Sequence, residues 1–131
     1  MEANIKEKEK PYTLGKLGGK HLFTFTTILR KIGFKELKEC FESDEIMALI
    51  NDKNVNIEKV GINIMMNVAV VVISNLENCE SDIYKLLSDL SGMSKKELSE
   101  LDMDIFVEMI MDVFRKEEFR GFFKAASKLF N

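Results

Sequence analysis

Few side chains in this sequence of 131 residues could carry out catalysis or hold a metal ion. His21 is the only histidine, and the two cysteines, Cys40 and Cys79, are far apart along the chain. Metal sites need clustered ligands, and histidine-based triads need a nucleophile next to the histidine. We therefore expect no catalytic centre, no metal site and no cofactor. We interpret His21 as a helix cap or packing residue and both cysteines as buried thiols.

Pairs of acidic residues are the second group that could do chemistry. Glu97 and Glu100 form one pair at helical spacing, and Glu108 and Asp112 form another. Paired carboxylates on one helix face can exchange protons or bind a cation. Lysine or arginine accompanies both pairs, which is typical of a solvated surface. The glycine-rich stretch 15–19 lacks the Gly-Lys-Ser/Thr ending of a phosphate-binding loop, so it predicts a turn.

Composition and charge narrow the class of protein further. A net charge of −3 is unlike the basic surface of a typical nucleic-acid-binding protein. The apolar stretch 60–73 is too short to span a membrane, and Asn63 and Asn67 interrupt it. Residues 1–10 are mostly charged and contain no signal-peptide core, so we expect a disordered tail followed by one domain over residues 11–131.

Apolar residues recur at helical spacing along most of the chain, and only one proline is present. This pattern predicts an all-α domain. The expected helices cover residues 21–32, 34–41, 46–50, a long stretch after Asn56, 81–91, 94–101, 103–115 and 117–130.

The long helix after Asn56 is expected to lie at the centre of the domain, because almost all of its residues are apolar. We expect its narrow polar stripe to face solvent, with Ile64 and Val71 buried. The stripe consists of Lys59, Asn63, Asn67, Ser74 and Asn78.

Polar residues and glycines predict where several helices begin and end. Asn56, Ser81 and Asp102 are expected N-caps, and Ser94 with Glu97 matches a capping box. Gly33 is expected to end its helix in the left-handed conformation, and Gly92 is expected to end the 81–91 helix.

The closing helices carry more apolar residues than packing against one neighbour requires. The 103–115 helix has a core stripe, and Val107 and Met111 widen it. Two interpretations remain open: a deep core position, or a surface for a partner helix or a second copy. Met111 is expected to be the most exposed of the candidate partner-binding residues, some of which must close the core. These candidates are Met109, Met111, Phe119, Phe122 and Phe123.

Three segments together resemble the tail assembly chaperones of long-tailed bacteriophages and related prophage or tail-like elements. The first runs from Leu17-Gly18-Gly19-Lys20-His21-Leu22-Phe23 to Ile28-Leu29-Arg30-Lys31-Ile32-Gly33. The second is Leu87 to Leu98, with the pattern L-x-x-L-x-G-x-S-x-x-E-L. The third comprises residues 106–110 and the phenylalanines at 119, 122 and 123.

The resemblance implies a protein that is not an enzyme and works in the cytoplasm of a bacterial host. Such a chaperone would bind the tape-measure protein, keep it soluble, and be displaced as tail-tube subunits assemble. Contact with the tail-tube protein and assembly into a homo-oligomer are further expectations. The alternative is a small helical regulatory or adaptor module of a phage or mobile element that binds one folded partner.

Overall fold

Helices account for every regular element in the computed structural model, which describes residues 10–42, 46–48, 51–52, 54, 56–119 and 121. No strand occurs among these residues, which confirms the all-α prediction. Residues 46–48 and 117–119 are also helical. The main helices are α1 (Gly19–Ile32), α2 (Phe34–Glu42), α3 (Ile57–Ser74), α4 (Glu80–Ser91), α5 (Lys95–Ser99) and α6 (Met103–Phe114), with a 3₁₀ turn at Leu76–Asn78.

Helix α3 lies at the centre of the described fold, as predicted. It packs against α1, α2 and α6. The segment 68–73 is rich in valine and therefore has strand propensity, but burial against three helices outweighs that local preference. The buried apolar residues of α3 are Val60, Ile64, Met65, Val68, Ala69 and Val72.

The predicted orientation of α3 is wrong in one respect. Asn67 is half-buried, and its Nδ2 donates to the backbone carbonyl of Cys40 in α2 at 3.3 Å. Val71 is only half-buried, whereas Val70 is 57% exposed and Ile62 is 38% exposed. Helix α2 thus covers part of the polar stripe, and an apolar strip faces outwards instead.

Several predicted caps are confirmed. The Ser94 hydroxyl accepts from the Glu97 amide at 3.1 Å, and the Glu97 carboxylate accepts from the Ser94 amide at 3.0 Å. Asn56 Oδ1 accepts from the amide of Lys59 at 3.3 Å. Gly92 ends α4 in the left-handed conformation with φ of 78°.

Three other cap predictions need correction. Helix α4 begins at Glu80 with Cys79 as its N-cap, because the 3₁₀ turn runs directly into it, so Ser81 lies inside the first turn. Asp102 is the N-cap of α6, but its side chain makes no capping bond. Gly33 has φ of 113° and ψ of 147°, which lies outside the left-handed helical region.

An extended segment, residues 10–18, joins the helices by hydrogen bonds. The Gly15 amide donates to the Leu90 carbonyl at 2.7 Å, and a side chain at Gly15 would come within 3.3 Å of that oxygen. Lys10 Nζ donates to Asp112 of α6 at 2.9 Å, and the Tyr12 hydroxyl donates to the same carboxylate. Lys10 is therefore held against α6 rather than belonging to the predicted disordered tail. The rest of that predicted tail, residues 1–9, lies outside the described residues.

The different burial of three α3 side chains predicts how much unfolding free energy each alanine variant loses, as measured by urea denaturation. Ile64→Ala should cost about 2–5 kcal/mol, because it leaves a cavity in the core. Asn67→Ala should cost about 0.5–1.5 kcal/mol through loss of its hydrogen bond. Val70→Ala should change stability by less than about 0.5 kcal/mol. A greater loss for Val70→Ala than for Asn67→Ala would contradict this orientation of α3.

The contacts of Asp112 predict a dependence of stability on acid pH. Burial raises the pKa of Asp112, but hydrogen bonds from Tyr12 and Lys10 outweigh it, and the pKa is lowered overall. A lowered pKa in the folded state stabilises the protein above the ordinary carboxyl value of about 4. That contribution is lost as the pH falls through the folded-state pKa.

The variant Asp112→Asn should therefore show a smaller decrease in unfolding free energy than the wild type when the pH falls from about 5 to about 2. Tyr12→Phe should give an intermediate slope, because the hydroxyl donor is lost but Lys10 and the carboxylate remain. Urea denaturation at several pH values measures this, and an unchanged slope for Asp112→Asn would refute the assignment.

Candidate interaction surface

The structure separates the residues predicted to bind a partner. Met109 and Phe119 are 0% and 5% exposed and belong to the core, while Met111 is partly buried and packs against it. Met109 is enclosed in the core, and Phe119 lines an open cavity of about 270 Å³ beside the start of α1. Phe122 and Phe123 lie outside the described residues. Met111 is therefore the described candidate that lies outside both the core and this cavity.

Met111 is the most exposed of the described candidates, but it is only partly exposed, and two residues of α6 outside the candidate set are more exposed. Met103 is 87% exposed and Val107 is 37% exposed. Core packing explains most of the apolar excess of α6: the Phe106 ring packs edge-on against Tyr84 of α4 at 5.7 Å, and α6 also packs against α3. The core interpretation thus holds for most of the helix, and a partner surface stays a prediction for its exposed apolar residues.

Exposed or partly exposed apolar residues lie on one face of each of two neighbouring helices, α3 and α6. Each helix contributes three of them at a spacing of four residues, so the three share one face. Ile62 of α3 and Phe114 of α6 line a small cavity of about 50 Å³ together. The start of α3 therefore lies at the end of α6, as in an antiparallel pair. We call these residues together the α3–α6 surface; it consists of Ile62, Met66, Val70, Met103, Val107 and Met111.

Charged side chains border the α3–α6 surface. Arg115 lies at the end of α6, and its guanidinium donates to Glu108 at 2.9 Å and to Asp112 at 3.1 Å. Lys59 is exposed on α3, one turn before Asn63. An apolar strip with a polar border is the arrangement that receives the apolar face of an amphipathic helix. Methionine supplies half of the six side chains and adapts easily to partners of different shape.

His21 has the capping and packing role predicted for it. Its Nδ1 accepts a hydrogen bond from the Gly18 amide at 2.8 Å, just before α1, and the side chain is 5% exposed. Because Nδ1 is an acceptor, the ring proton of the neutral imidazole is on Nε2, which is buried without a hydrogen-bond partner. No nucleophile is hydrogen-bonded to this ring among the contacts of the described residues.

The described residues contain no group of three or more histidine, cysteine, aspartate or glutamate side chains that could hold a metal ion. Cys40 and Cys79 are buried free thiols, as predicted. Burial is the main cause that raises the pKa of both. Within the same described part of the chain, no helix has the length and apolar character needed to cross a membrane.

Comparisons of the chain with family models, curated proteins and solved structures find no match. The feature with the clearest capacity for binding is the α3–α6 surface. The sequence pattern points to Met111 but not to Ile62, Met66 or Val70, because it assigns the exposed side of α3 to the polar stripe.

Proposed function

We propose that this protein is a non-enzymatic chaperone that binds an apolar helical segment of a client protein through the α3–α6 surface. The tape-measure protein of a long-tailed phage is the client that the sequence resemblance implies. The observation that supports the proposal is the exposure of apolar side chains along two packed helices, with Val70 at 57% and Met103 at 87%. Single exposed apolar residues are common on proteins, but several of them on one face of each of two packed helices are typical of a binding surface.

Such a chaperone has to cover the apolar stripes of the tape-measure protein until the tail tube assembles. A tape-measure protein is long and helical, and its apolar stripes would otherwise associate with one another. Partly exposed valine, isoleucine and methionine side chains provide a shallow site rather than a deep pocket. A shallow apolar contact favours modest affinity and ready release, which suits displacement by tail-tube subunits in the host cytoplasm.

The proposal predicts that a charge on the α3–α6 surface weakens client capture. Val70→Asp and Met103→Asp should each reduce capture about tenfold or more, because the carboxylate would be buried without a partner. Both side chains are exposed, so folding should change little. Met111 is a poorer choice, since Met111→Asp would also disturb its contacts with the core. Co-expression with the tape-measure protein, followed by pull-down and a solubility assay, measures the effect.

A matched control distinguishes this surface from general apolar stickiness. Met47 is 44% exposed and lies on the connection between α2 and α3. Met47→Asp makes the same chemical change away from the α3–α6 surface and should leave capture unchanged. Normal capture by a folded Val70→Asp variant would remove this surface from the proposal. Failure of the wild type to capture the tape-measure protein would favour the regulatory or adaptor module instead.

A further inference from the structure

Positive charge is concentrated near the start of the chain. Residues 10–35 carry six of the 19 lysine and arginine residues and none of the 22 acidic residues. The whole chain has a net charge of −3, so the remaining residues hold all of the negative excess. Helix α1 lies within this basic stretch and has no acidic residue in its sequence. It therefore differs in charge from the rest of the protein.

Phe23 occupies the middle of the outward side of α1. Its side chain is 77% exposed, and the buried residues of α1 lie on the opposite side of the helix. Lys20 comes one turn before Phe23 and Arg30 two turns after it, so the three side chains share one face. Both basic residues are exposed. We call this the α1 face; it consists of Lys20, Phe23, Thr26, Thr27 and Arg30.

The two threonines of the α1 face already use their hydroxyl protons within the helix. Thr26 Oγ1 donates to the Leu22 carbonyl at 2.8 Å, and Thr27 Oγ1 donates to the Phe23 carbonyl at 3.0 Å. The Phe23 ring is thus the largest apolar group that a partner can cover here, with a cationic side chain on either side of it along the helix.

The cationic groups of the α1 face have no internal counter-ion. Lys20 and Arg30 form no ion pair with another residue in the described part of the chain. By contrast, Lys31 is paired with Asp82 of α4, and Arg115 is paired with two carboxylates of its own helix. A carboxylate from outside can therefore pair with Lys20 or Arg30 without displacing an internal partner.

We propose that the α1 face binds an acidic amphipathic helix of a partner protein. An apolar side chain of that helix would cover the Phe23 ring, and carboxylates on either side of it would pair with Lys20 and Arg30. Ten residues separate the two cations, which is about 15 Å along α1. The two carboxylates should therefore lie about three turns apart on a partner helix that runs alongside α1.

The charge of the whole protein favours a short acidic segment over a larger polyanion. A nucleic acid or an anionic membrane extends beyond α1, so it would also meet the field of the remaining, negatively charged chain. Fields between exposed charges are screened over about 8–10 Å at physiological ionic strength. A partner helix about as long as α1, roughly 20 Å, would therefore interact mainly with the basic stretch.

Fluorescence anisotropy with a labelled synthetic peptide tests the proposal on the full chain. The probe is a helical peptide of about 18 residues with a leucine face bordered by glutamates three turns apart. A matched peptide has lysine in place of each glutamate. The glutamate peptide should bind with a Kd that rises with salt concentration, and the lysine peptide should not bind. No binding of the glutamate peptide to the wild type would overturn the proposal.

Three variants locate the binding. Lys20→Glu and Arg30→Glu should each raise the Kd of the glutamate peptide about tenfold or more, because like charges would face each other. Phe23→Ala should raise it about fivefold or more. The circular dichroism spectrum should stay helical, since all three side chains are exposed. Lys96→Glu makes the same change of charge on α5 and should leave the Kd unchanged. Equal effects of Lys96→Glu and Lys20→Glu would contradict a specific face.

Reversing the charges on both sides is the sharper test. The double variant Lys20→Glu/Arg30→Glu should bind the lysine peptide more tightly than the glutamate peptide, because the charges are complementary again. Failure of this exchange would overturn the proposal. Binding of the wild type to oligothymidine or to phosphatidylglycerol vesicles, lost in Lys20→Glu and Arg30→Glu, would assign the face to a polyanion instead and would also overturn it.

The proposal is independent of the proposed function, because the α1 face shares no residue with the α3–α6 surface. Val70→Asp should therefore bind the glutamate peptide as the wild type does, even if it no longer captures the tape-measure protein. Loss of peptide binding in a folded Val70→Asp variant would place the peptide on the α3–α6 surface, and the proposal for α1 would fail.

Discussion

The arrangement of the other helices depends on the burial of α3. A helix of 18 residues that is apolar on most sides cannot be left in water, and α1, α2 and α6 cover it. Covering it from three directions still leaves one strip open, because Asn67 turns towards α2 and bonds the Cys40 carbonyl. The exposed apolar strip on α3 is thus a consequence of how this helix satisfies its polar residues.

Aromatic contacts connect α1 with α6 and with residues 117–119. Phe25 of α1 lies 5.9 Å from Phe114 of α6 and 4.9 Å from Phe119, measured between ring centroids. Phe114 and Phe119 stack at 5.2 Å. These three rings connect α1, α6 and residues 117–119, and two of them also line the cavity beside α1. The shape of that cavity therefore depends on the same contacts that close the core.

The sequence predicted most helices and several caps because those features depend on local spacing. The capping box at Ser94 and the helix end at Gly92 are examples. The burial and the contacts of individual side chains were harder to predict, because they depend on residues that are distant in the chain. A helical wheel places Asn67 on a polar stripe but carries no information about the Cys40 carbonyl. Met109 and Met103 are the same residue type on one helix, yet they are 0% and 87% exposed. The cavity combines residues near 20, 86 and 119, a grouping that no local pattern reveals.

The corner between α3 and α4 has an implication for how the chain resists proteases. Backbone hydrogen bonds continue through it, from the Asn75 amide to Val72, from Cys79 to Leu76, and from Ile83 to Cys79. A protease needs a stretch of chain that opens into an extended conformation, and cleavage concentrates at mobile loop tips. This corner has no extended stretch between its two helices. Limited digestion should therefore leave the chain uncut between α3 and α4.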